Sequence, residues 1–283
     1  MSLLLTRMFE PRSTVAALQE TIGMLRRHRE LVVEMTRREL LDRYAGNALG
    51  GIWAVAAPLL ILGANVFALM YIFRIRFSET DIGGMRYAIF ILAGMTPWLA
   101  MSDAIGRAST VIVNSANLVK QIVFPSEILP IKLVFATLPS LFAGIFVVFV
   151  LNLVSGNGSL FGYLVLLPLC LVYYLVLVTG FVYALAALGV FLRDIRDVTA
   201  VILSVSMFLH PIYYPPGAAP RWLGVIFGAS PFSHMIWCFH DALFYGQITR
   251  PWSWVICPIV SVFLLSLGWR IFRTLRPTFG NAL

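Results

Sequence analysis

The residues with the clearest chemical potential lie between two apolar runs in the second half of the chain. Asp194 and Asp197 are three positions apart, a spacing at which two carboxylates can share a divalent cation beside a sugar phosphate. Arg193 and Arg196 are interleaved with them. The interleaving favours a self-neutralising loop over a metal site.

Sites for zinc or for a nucleotide are not indicated by the remaining residues. His234, Cys238 and His240 have ligand side chains, but neither a carboxylate nor a second cysteine completes a zinc pattern. The two lysines, Lys120 and Lys132, do not follow a glycine, so the chain lacks the Gly-x-x-x-x-Gly-Lys-Ser/Thr phosphate loop. This excludes ATP hydrolysis by that route, and we expect no metal and no cofactor on this chain.

Long apolar runs are the elements that position these side chains. With 60% hydrophobic and 12% charged residues, the chain has more apolar surface than a water-soluble domain can hide. The runs are apolar on every side, which favours helices over barrel strands. The sequence therefore predicts an all-α integral membrane protein with six transmembrane helices, at residues 51–73, 87–108, 131–154, 161–192, 198–214 and 252–270.

The basic residues predict the orientation of these spans. Residues 1–50 are predicted to form a cytoplasmic N-terminal segment and residues 51–283 the transmembrane domain. With this arrangement most of the 21 Lys and Arg residues lie on the cytoplasmic side, as the positive-inside rule requires. Both termini are then expected in the cytoplasm, on the inner face of the cytoplasmic membrane.

Two runs do not have the length or composition of a simple span. Residues 222–245 contain Pro231 and Asp241, so we interpret them as a re-entrant hairpin between the fifth and sixth spans, broken near Pro231. The run 161–192 is too long for one upright helix, which predicts a tilted helix kinked at Gly180.

The charged residues near the first two spans are predicted to lie at the membrane surface. Apolar residues recur at helical spacing among the arginines of residues 17–44, which predicts an amphipathic interface helix that contacts membrane lipids or an acidic partner. A simple topogenic anchor is the alternative. Asp103 and Arg107 are one turn apart and are interpreted as a local ion pair. Because the central runs lack charge, ion-coupled transport is not indicated.

Four segments, in order along the chain, resemble the membrane subunits of type-2 ABC exporters. They are residues 37–59, 117–130, 191–197 and 230–234, with the sequences RRELLDRYAGNALGGIWAVAAPL, NLVKQIVFPSEILP, FLRDIRD and SPFSH. Within that family the chain resembles exporters of lipid-linked polysaccharides, such as O-antigen, capsule or teichoic-acid chains. The resemblance implies a homodimer of this chain with two copies of a separate ATPase subunit, which carries ATP and Mg²⁺. No nucleic-acid partner is expected.

The resemblance also implies where the ATPase subunit binds. Residues 117–122 are expected to form a short coupling helix, because Phe124-Pro125 resists its continuation. A plain amphipathic loop helix is the alternative. The predicted coupling residues are Asn117, Leu118, Val119, Lys120, Ile122, Phe124, Pro125, Arg193 and Asp194.

Substrate contacts follow from the resemblance and from side-chain chemistry. A lipid diphosphate is expected to arrive near the interface helix, where arginine can bind phosphate in a bidentate fork. The predicted contacts there are Arg37, Arg38, Arg43 and Tyr44. Sugar rings stack on aromatic faces, although aromatic residues also form ordinary interface belts. The predicted glycan path contains Trp53, Tyr71, Tyr213, Tyr214 and Trp237.

The sequence thus predicts the channel-forming subunit of an ATP-driven exporter that moves a lipid-linked polysaccharide across the cytoplasmic membrane. It predicts no ATPase site within this chain. One alternative is a type-2 exporter of a drug or a lipid. Another is a membrane-embedded enzyme that modifies glycans through Asp194 and Asp197.

Overall fold

Helices form the regular structure of the computed structural model, which describes residues 11–72, 85–120, 124–156, 159–214 and 220–283. The described ranges contain no strand, so the predicted all-α class is confirmed. In chain order the α-helices are α1 (Pro11–Arg27), α2 (Arg29–Arg43), α3 (Trp53–Phe67), α4 (Met85–Ala108), α5 (Ala116–Val119), α6 (Ile128–Ala136), α7 (Leu138–Val154), α8 (Leu167–Gly189), α9 (Ile195–Ser206), α10 (Arg221–Ala229), α11 (Pro231–His240), α12 (Pro251–Leu275) and α13 (Phe279–Ala282).

Five continuous helical segments in the described ranges are long and apolar enough to cross a bilayer. They are Gly50–Ile72, Met85–Ala108, Ile128–Val154, Gly162–Gly189 and Pro251–Ala282. Each overlaps one of the predicted spans, because apolar length is a strong sequence signal for a membrane helix. The architecture is that of a multi-pass membrane protein.

The predicted fifth span, residues 198–214, is not a single helix. α9 has 12 residues and rises about 18 Å, short of the roughly 30 Å hydrocarbon core. Turns follow Ser206, and Pro211 prevents the helix from resuming there, because it has no N–H to donate and disfavours a helical His210. His210 satisfies part of the freed backbone: its Nδ1 donates to the Ser206 carbonyl at 2.5 Å, and its Nε2 accepts from Ser230 Oγ at 2.7 Å.

Residues 195–214 nevertheless extend along most of α4. Leu203 on α9 approaches Gly106 near the end of α4, where a Cβ would lie 3.7 Å from Leu203 Cδ1. The Tyr213 carbonyl accepts from the Tyr87 hydroxyl, near the start of α4, at 2.9 Å. α9 and the turns that follow it therefore run between the two ends of the bundle in two pieces. The end of the bundle near Tyr87 is called the Tyr87 end below, and the other the α2 end.

The hairpin predicted at residues 222–245 consists of α10 and α11. Its two arms, Trp222–Ala229 and Pro231–Tyr245, are bent by 92°. The predicted break near Pro231 is confirmed, since proline is suited to the first turn of a helix but cannot extend the preceding one. Phe232 packs edge-on against Trp98, halfway along α4, with ring centroids 6.0 Å apart. The re-entrant placement of this hairpin in a membrane stays a prediction.

The third predicted span is divided at Thr137 into α6 and α7. Thr137 Oγ1 donates to the Val134 carbonyl at 2.8 Å and lies 3.1 Å from the Tyr174 hydroxyl. Pro139 in the first turn of α7 has no N–H to continue the hydrogen bonds of α6. α6 and α7 are thus two parts of one helical segment, Ile128–Val154, with a local interruption at Thr137, and the short α6 lies toward the α2 end.

The most extensive helix contact of the bundle joins α8 and α12. A Cβ on Gly268 would lie 2.0 Å from the Gly180 carbonyl oxygen, so the two backbones touch at these glycines. In a membrane, such close packing of small residues holds helices together because lipid provides no hydrophobic drive between them. α8 continues through Gly180, where the sequence predicted a kink. This glycine allows the approach of α12 instead.

The predicted interface helix, residues 17–44, is divided at His28 into α1 and α2. α1 packs against α12, where Glu20 accepts a hydrogen bond from Trp269 Nε1 at 2.9 Å and pairs with Arg273. The hydrogen bond from Trp269 and the nearby Arg273 guanidinium lower the pKa of Glu20, although partial burial opposes them. α1 therefore lies beside the last part of α12, at the α2 end.

Candidate functional sites

An ion-pair network joins α2 to the end of α4. Arg43 Nη1 and Nη2 donate to Asp103 Oδ2 and Oδ1 at 2.8 and 2.9 Å, in a bidentate geometry. Asp103 Oδ2 also accepts from Arg107 Nη2 at 2.7 Å. The predicted local pair of Asp103 and Arg107 is confirmed, and it is one part of a larger network.

Glu39 on α2 extends this network to α6. Its Oε1 accepts from Arg107 Nη1 at 2.8 Å, and its Oε2 pairs with Lys132 Nζ at 2.9 Å. The Lys132 side chain is only 10% exposed, so its charge depends on Glu39 for compensation. Sequence reasoning counted Lys132 as a cytoplasmic charge and missed Glu39. The sequence feature that could have indicated a buried partner for Lys132 is its position as the single charged residue in the apolar segment 128–136.

A cavity of about 340 Å³ lies beside the network, between α3, α4 and the junction of α6 and α7. Arg43, Tyr44 and Asp103 make one part of its wall polar. Its apolar lining includes Ala57, Pro58, Ile61, Leu62, Leu99 and Ala100. An apolar space of this size with a charged wall is suited to part of an amphiphilic molecule.

The four predicted contacts for a lipid diphosphate do not form one cluster of free donors. Arg43 is occupied by Asp103, and Arg38 Nε pairs with Asp42 at 3.3 Å. Arg37 is exposed and makes no ion pair within the described ranges, so its donors are available to an anion. Tyr44 lies beside Arg43, whose guanidinium carbon is 5.4 Å from the ring centroid.

The predicted coupling segment, residues 117–122, is described as far as Lys120. Its described part contains α5, a one-turn helix at Ala116–Val119. Asn117 and Lys120 are exposed. Leu118 and Val119 are half-buried and pack against the core of this chain, which limits how far they can insert into a partner.

The end of the coupling segment is anchored to the bundle. Phe124 and Pro125 are half-buried, and Phe124 packs against the core. Glu127, two residues after Pro125, pairs with Arg276 beyond α12. Its carbonyl accepts from the Tyr183 hydroxyl at 2.9 Å. The predicted coupling residue Ile122 lies outside the described residues.

The other predicted coupling residues, Arg193 and Asp194, are exposed in the turn between α8 and α9. A Cβ on Gly189 would lie 2.0 Å from the Ser109 carbonyl oxygen, so the ends of α8 and α4 touch. The chain continues to α5 soon after Ser109 and to Arg193 soon after Gly189. The two candidate coupling segments therefore leave the bundle side by side at the α2 end.

The same turn does not have the geometry of a metal site. Arg193, Asp194, Arg196 and Asp197 are all exposed and form no direct ion pair with one another. Within the described ranges, no group of three or more His, Cys, Asp and Glu side chains is placed to hold a metal ion. The four charges are thus available to a partner surface.

Three of the predicted path aromatics lie close to the Tyr87 end, and two of them are connected by ring contacts through Phe227. Tyr214 packs against Phe227 with centroids 6.2 Å apart, and Phe227 against Trp237 at 6.3 Å. Tyr213 donates to Asn65 Oδ1 on α3 at 3.3 Å. The Arg250 guanidinium carbon lies 4.2 Å from the Trp237 ring centroid and gives this aromatic group a positive charge.

The remaining two predicted path aromatics are on α3 and the turn after it. Tyr71 is 67% exposed and packs against Phe67 at 5.4 Å. Trp53 is half-buried at the start of α3, roughly 27 Å from Tyr71 at the helical rise. The five aromatics do not form one continuous group in a single copy of the chain.

Sequence reasoning missed a buried polar cluster between α7, α11 and α12. Asp241 is 1% exposed and accepts from Thr249 Oγ1 and from Trp254 Nε1, the latter at 2.8 Å. Asn152 Nδ2 donates to the Tyr163 hydroxyl and to the Leu243 carbonyl, both at 2.8 Å. These hydrogen bonds attach the hairpin to the neighbouring helices. The sequence feature that could have predicted the cluster is the presence of isolated polar residues within apolar runs.

A helical membrane bundle with an amphiphile-sized cavity and two exposed segments side by side is typical of a membrane permease that works with a partner subunit. The profile of the family described as ABC-2 type transporter matches residues 30–244, and the chain belongs to that family. The predicted type-2 ABC resemblance is thereby confirmed, and the family works with an ATPase partner.

Characterised relatives are similar over nearly the whole chain. The O-antigen export system permease protein RfbA of Myxococcus xanthus is 23% identical, over 92% of this chain and 97% of the relative. A protein of the same name from Klebsiella pneumoniae is 22% identical, over 90% of this chain and 95% of the relative. A second Klebsiella pneumoniae protein of that name is 21% identical, over 90% and 95%.

Proposed function

We propose that this chain is the channel-forming membrane subunit of an ABC exporter that moves a lipid-linked polysaccharide across the cytoplasmic membrane. The observation that carries the proposal is its similarity, over at least 90% of its length, to relatives named O-antigen export permeases. ATP and Mg²⁺ are bound by a separate ATPase subunit, two copies of which serve a homodimer of this chain. This subunit itself acts in transport.

Deletion of the gene from its own organism tests the substrate class. Surface polysaccharide is expected to disappear and lipid-linked polysaccharide to accumulate on the cytoplasmic side of the membrane, with both reversed by the unmodified gene. A deletion strain with normal surface polysaccharide but lost efflux of a drug or a lipid would contradict the polysaccharide assignment and favour an exporter of another substrate.

The exposed residues at the α2 end support an ATPase contact there. Asn117, Lys120, Arg193 and Asp194 are exposed on two segments that leave the bundle side by side. We assign the polar contact to these four residues, and the anchoring of the segment to the half-buried Leu118, Val119, Phe124 and Pro125. Since α1 and the end of α12 share this end, both termini are cytoplasmic in this proposal.

Two apolar faces support the homodimer. The segment Gly50–Ile72, which contains α3, exposes Ile52, Leu60 and Ile61, and α9 exposes Val201 and Ile202. Lipid covers such faces in a monomer, whereas a second copy covers them in a dimer that encloses a channel. Cysteines introduced at Leu60 and Val201 are expected to cross-link two copies of the chain in membranes. Dimers in which neither of these faces is covered by the second copy would contradict this interface.

The cavity supports a route for the substrate lipid. Its apolar wall is suited to a polyprenyl chain, and its polar end contains Arg43 and Tyr44. Arg37 and Arg38 precede them on α2. Because Arg43 and Arg38 already have carboxylate partners, we assign the first diphosphate contact to Arg37. Diphosphate oxygens then compete with Asp103 for the fork of Arg43.

The aromatic residues support a path for the glycan. Tyr213, Tyr214 and Trp237 lie close to the Tyr87 end, beside Arg250, while Trp53 and Tyr71 mark the two ends of the α3 segment. Sugar rings stack on such faces through their C–H patches. Replacement of Trp237 by Leu is expected to lower export while ATPase binding is kept, and unaltered export would remove Trp237 from the path.

A further inference from the structure

α6 begins directly after the coupling segment that contains Phe124-Pro125. It is the first part of the helical segment Ile128–Val154 and joins α7 through the single residue Thr137. A displacement of the coupling segment is therefore transmitted first to α6. The nine residues of α6 form the direct covalent continuation of the predicted ATPase contact.

Two ion pairs attach this helix to two different parts of the molecule. Glu127, immediately before α6, pairs with Arg276 after α12, and its side chain is 10% exposed. Lys132, in the middle of α6, pairs with Glu39 on α2 at 2.9 Å and is equally buried. In each pair the partner at or in α6 is largely buried, so removal of Arg276 or of Glu39 would leave an uncompensated charge.

The Lys132 pair leads to the polar end of the cavity. Glu39 also accepts from Arg107, Arg107 donates to Asp103, and Asp103 holds both nitrogens of Arg43 in the cavity wall. A continuous set of contacts thus connects α6 with Arg43. In the proposed function, the oxygens of the diphosphate compete with Asp103 for the fork of this arginine. Such contiguous networks are the physical route by which movement at one site changes another.

We propose that Glu127 and Lys132 are positioning residues that transmit movement of the ATPase-bound coupling segment to the C-terminal segment and to α2. Neither residue touches the substrate. Their pairs make α6, α2 and the residues after α12 move together, so that ATP-driven displacement of residues 117–125 changes the geometry around Arg43. This inference rests on the proposed ATPase contact of that segment.

A transport assay with matched variants tests the proposal. Glu127→Gln and Lys132→Met keep side-chain size but remove the charge, and Arg29→Gln removes a fully exposed ion pair as the control. The complex with the ATPase subunit is expected to assemble at unchanged yield. The ATP hydrolysed per polysaccharide exported is expected to rise about tenfold in the two variants, within the usual range of coupling between sites.

An exchange of the two charges of one ion pair distinguishes a role in transmitting movement from a role in the stability of the protein. Glu127→Arg combined with Arg276→Glu restores the pair with reversed charges and is expected to recover most of the lost coupling. An unaltered ratio of hydrolysis to export in folded, assembled single variants would overturn the proposal. Failure of the unmodified chain to bind an ATPase subunit would instead overturn the proposed function together with it.

Discussion

Arg43 on α2 and Asp103 on α4 share two hydrogen bonds, of 2.8 and 2.9 Å, in the wall of the cavity. The two residues are sixty positions apart and join the interface helix to the second membrane helix. Asp103 also binds Arg107, so one carboxylate holds two guanidinium groups. The position of α2 over the cavity therefore depends on a charge pair that a diphosphate can compete for.

Replacement of Arg43 by Gln should loosen the end of α2. Both side chains are partly exposed, so solvent screening limits the stabilising energy of the pair to about 1 kcal/mol or less. We expect faster hydrogen exchange at residues 38–47 in Arg43→Gln and in Asp103→Asn, with no further increase when both are combined. Additive effects of the two changes would show that the residues act independently.

Arg37 is the arginine of this group with free donors in the described structure, and it should be the most sensitive to substitution. Arg37→Gln is expected to lower export severalfold while the complex stays assembled, because a charge-assisted phosphate contact is lost. Arg37→Lys should restore export only in part, since a point charge lacks the bidentate fork. Full export by Arg37→Lys would indicate a general electrostatic role. Full export by Arg37→Gln would exclude both this role and the bidentate phosphate contact.

Gly268 should not tolerate a side chain. A Cβ there would lie 2.0 Å from the Gly180 carbonyl oxygen, and the backbone of α8 cannot yield as a flexible side chain would. Gly268→Ala is expected to destabilise the purified protein by about 2 kcal/mol, as overpacked positions do. Gly280→Ala, with nothing within 4 Å of its Cβ, is the control. Equal thermal unfolding of the two variants would disprove the close contact.

The sequence predicted most features that depend on neighbouring residues and missed those that depend on distant ones. Apolar length was enough to find five helical segments, and Pro231 was enough to find the break in the hairpin. The break in the predicted fifth span was missed because the apolar run 198–214 outweighed the local effect of Pro211. Lys132 and Glu39 were missed because only the packing of α2 against α6 brings them together.

The membrane topology can be determined from the reaction of introduced cysteines with impermeant thiol reagents in intact cells. Gln247 is exposed before α12 and Asn281 after it, so Gln247→Cys is expected to react from outside and Asn281→Cys only after the membrane is opened. Cys170, Cys238 and Cys257 are buried and should give little background. Reaction of Asn281→Cys in intact cells would mean that the hairpin crosses the membrane and that the number of crossings is odd.

Charge reversal at the exposed coupling residues should weaken binding of the ATPase subunit. Lys120 and Arg193 are exposed on the two segments that leave the bundle side by side, and neither supports the core of the chain. The double variant Lys120→Glu, Arg193→Glu is expected to raise the dissociation constant about tenfold, which corresponds to roughly 1.4 kcal/mol. The double variant Arg27→Glu, Arg29→Glu, an equal change of charge at the exposed junction of α1 and α2, serves as the control. Because rim charges act mainly on the association rate, the difference should shrink in high salt. A dissociation constant that is unchanged in the double variant and independent of salt would place the ATPase contact elsewhere.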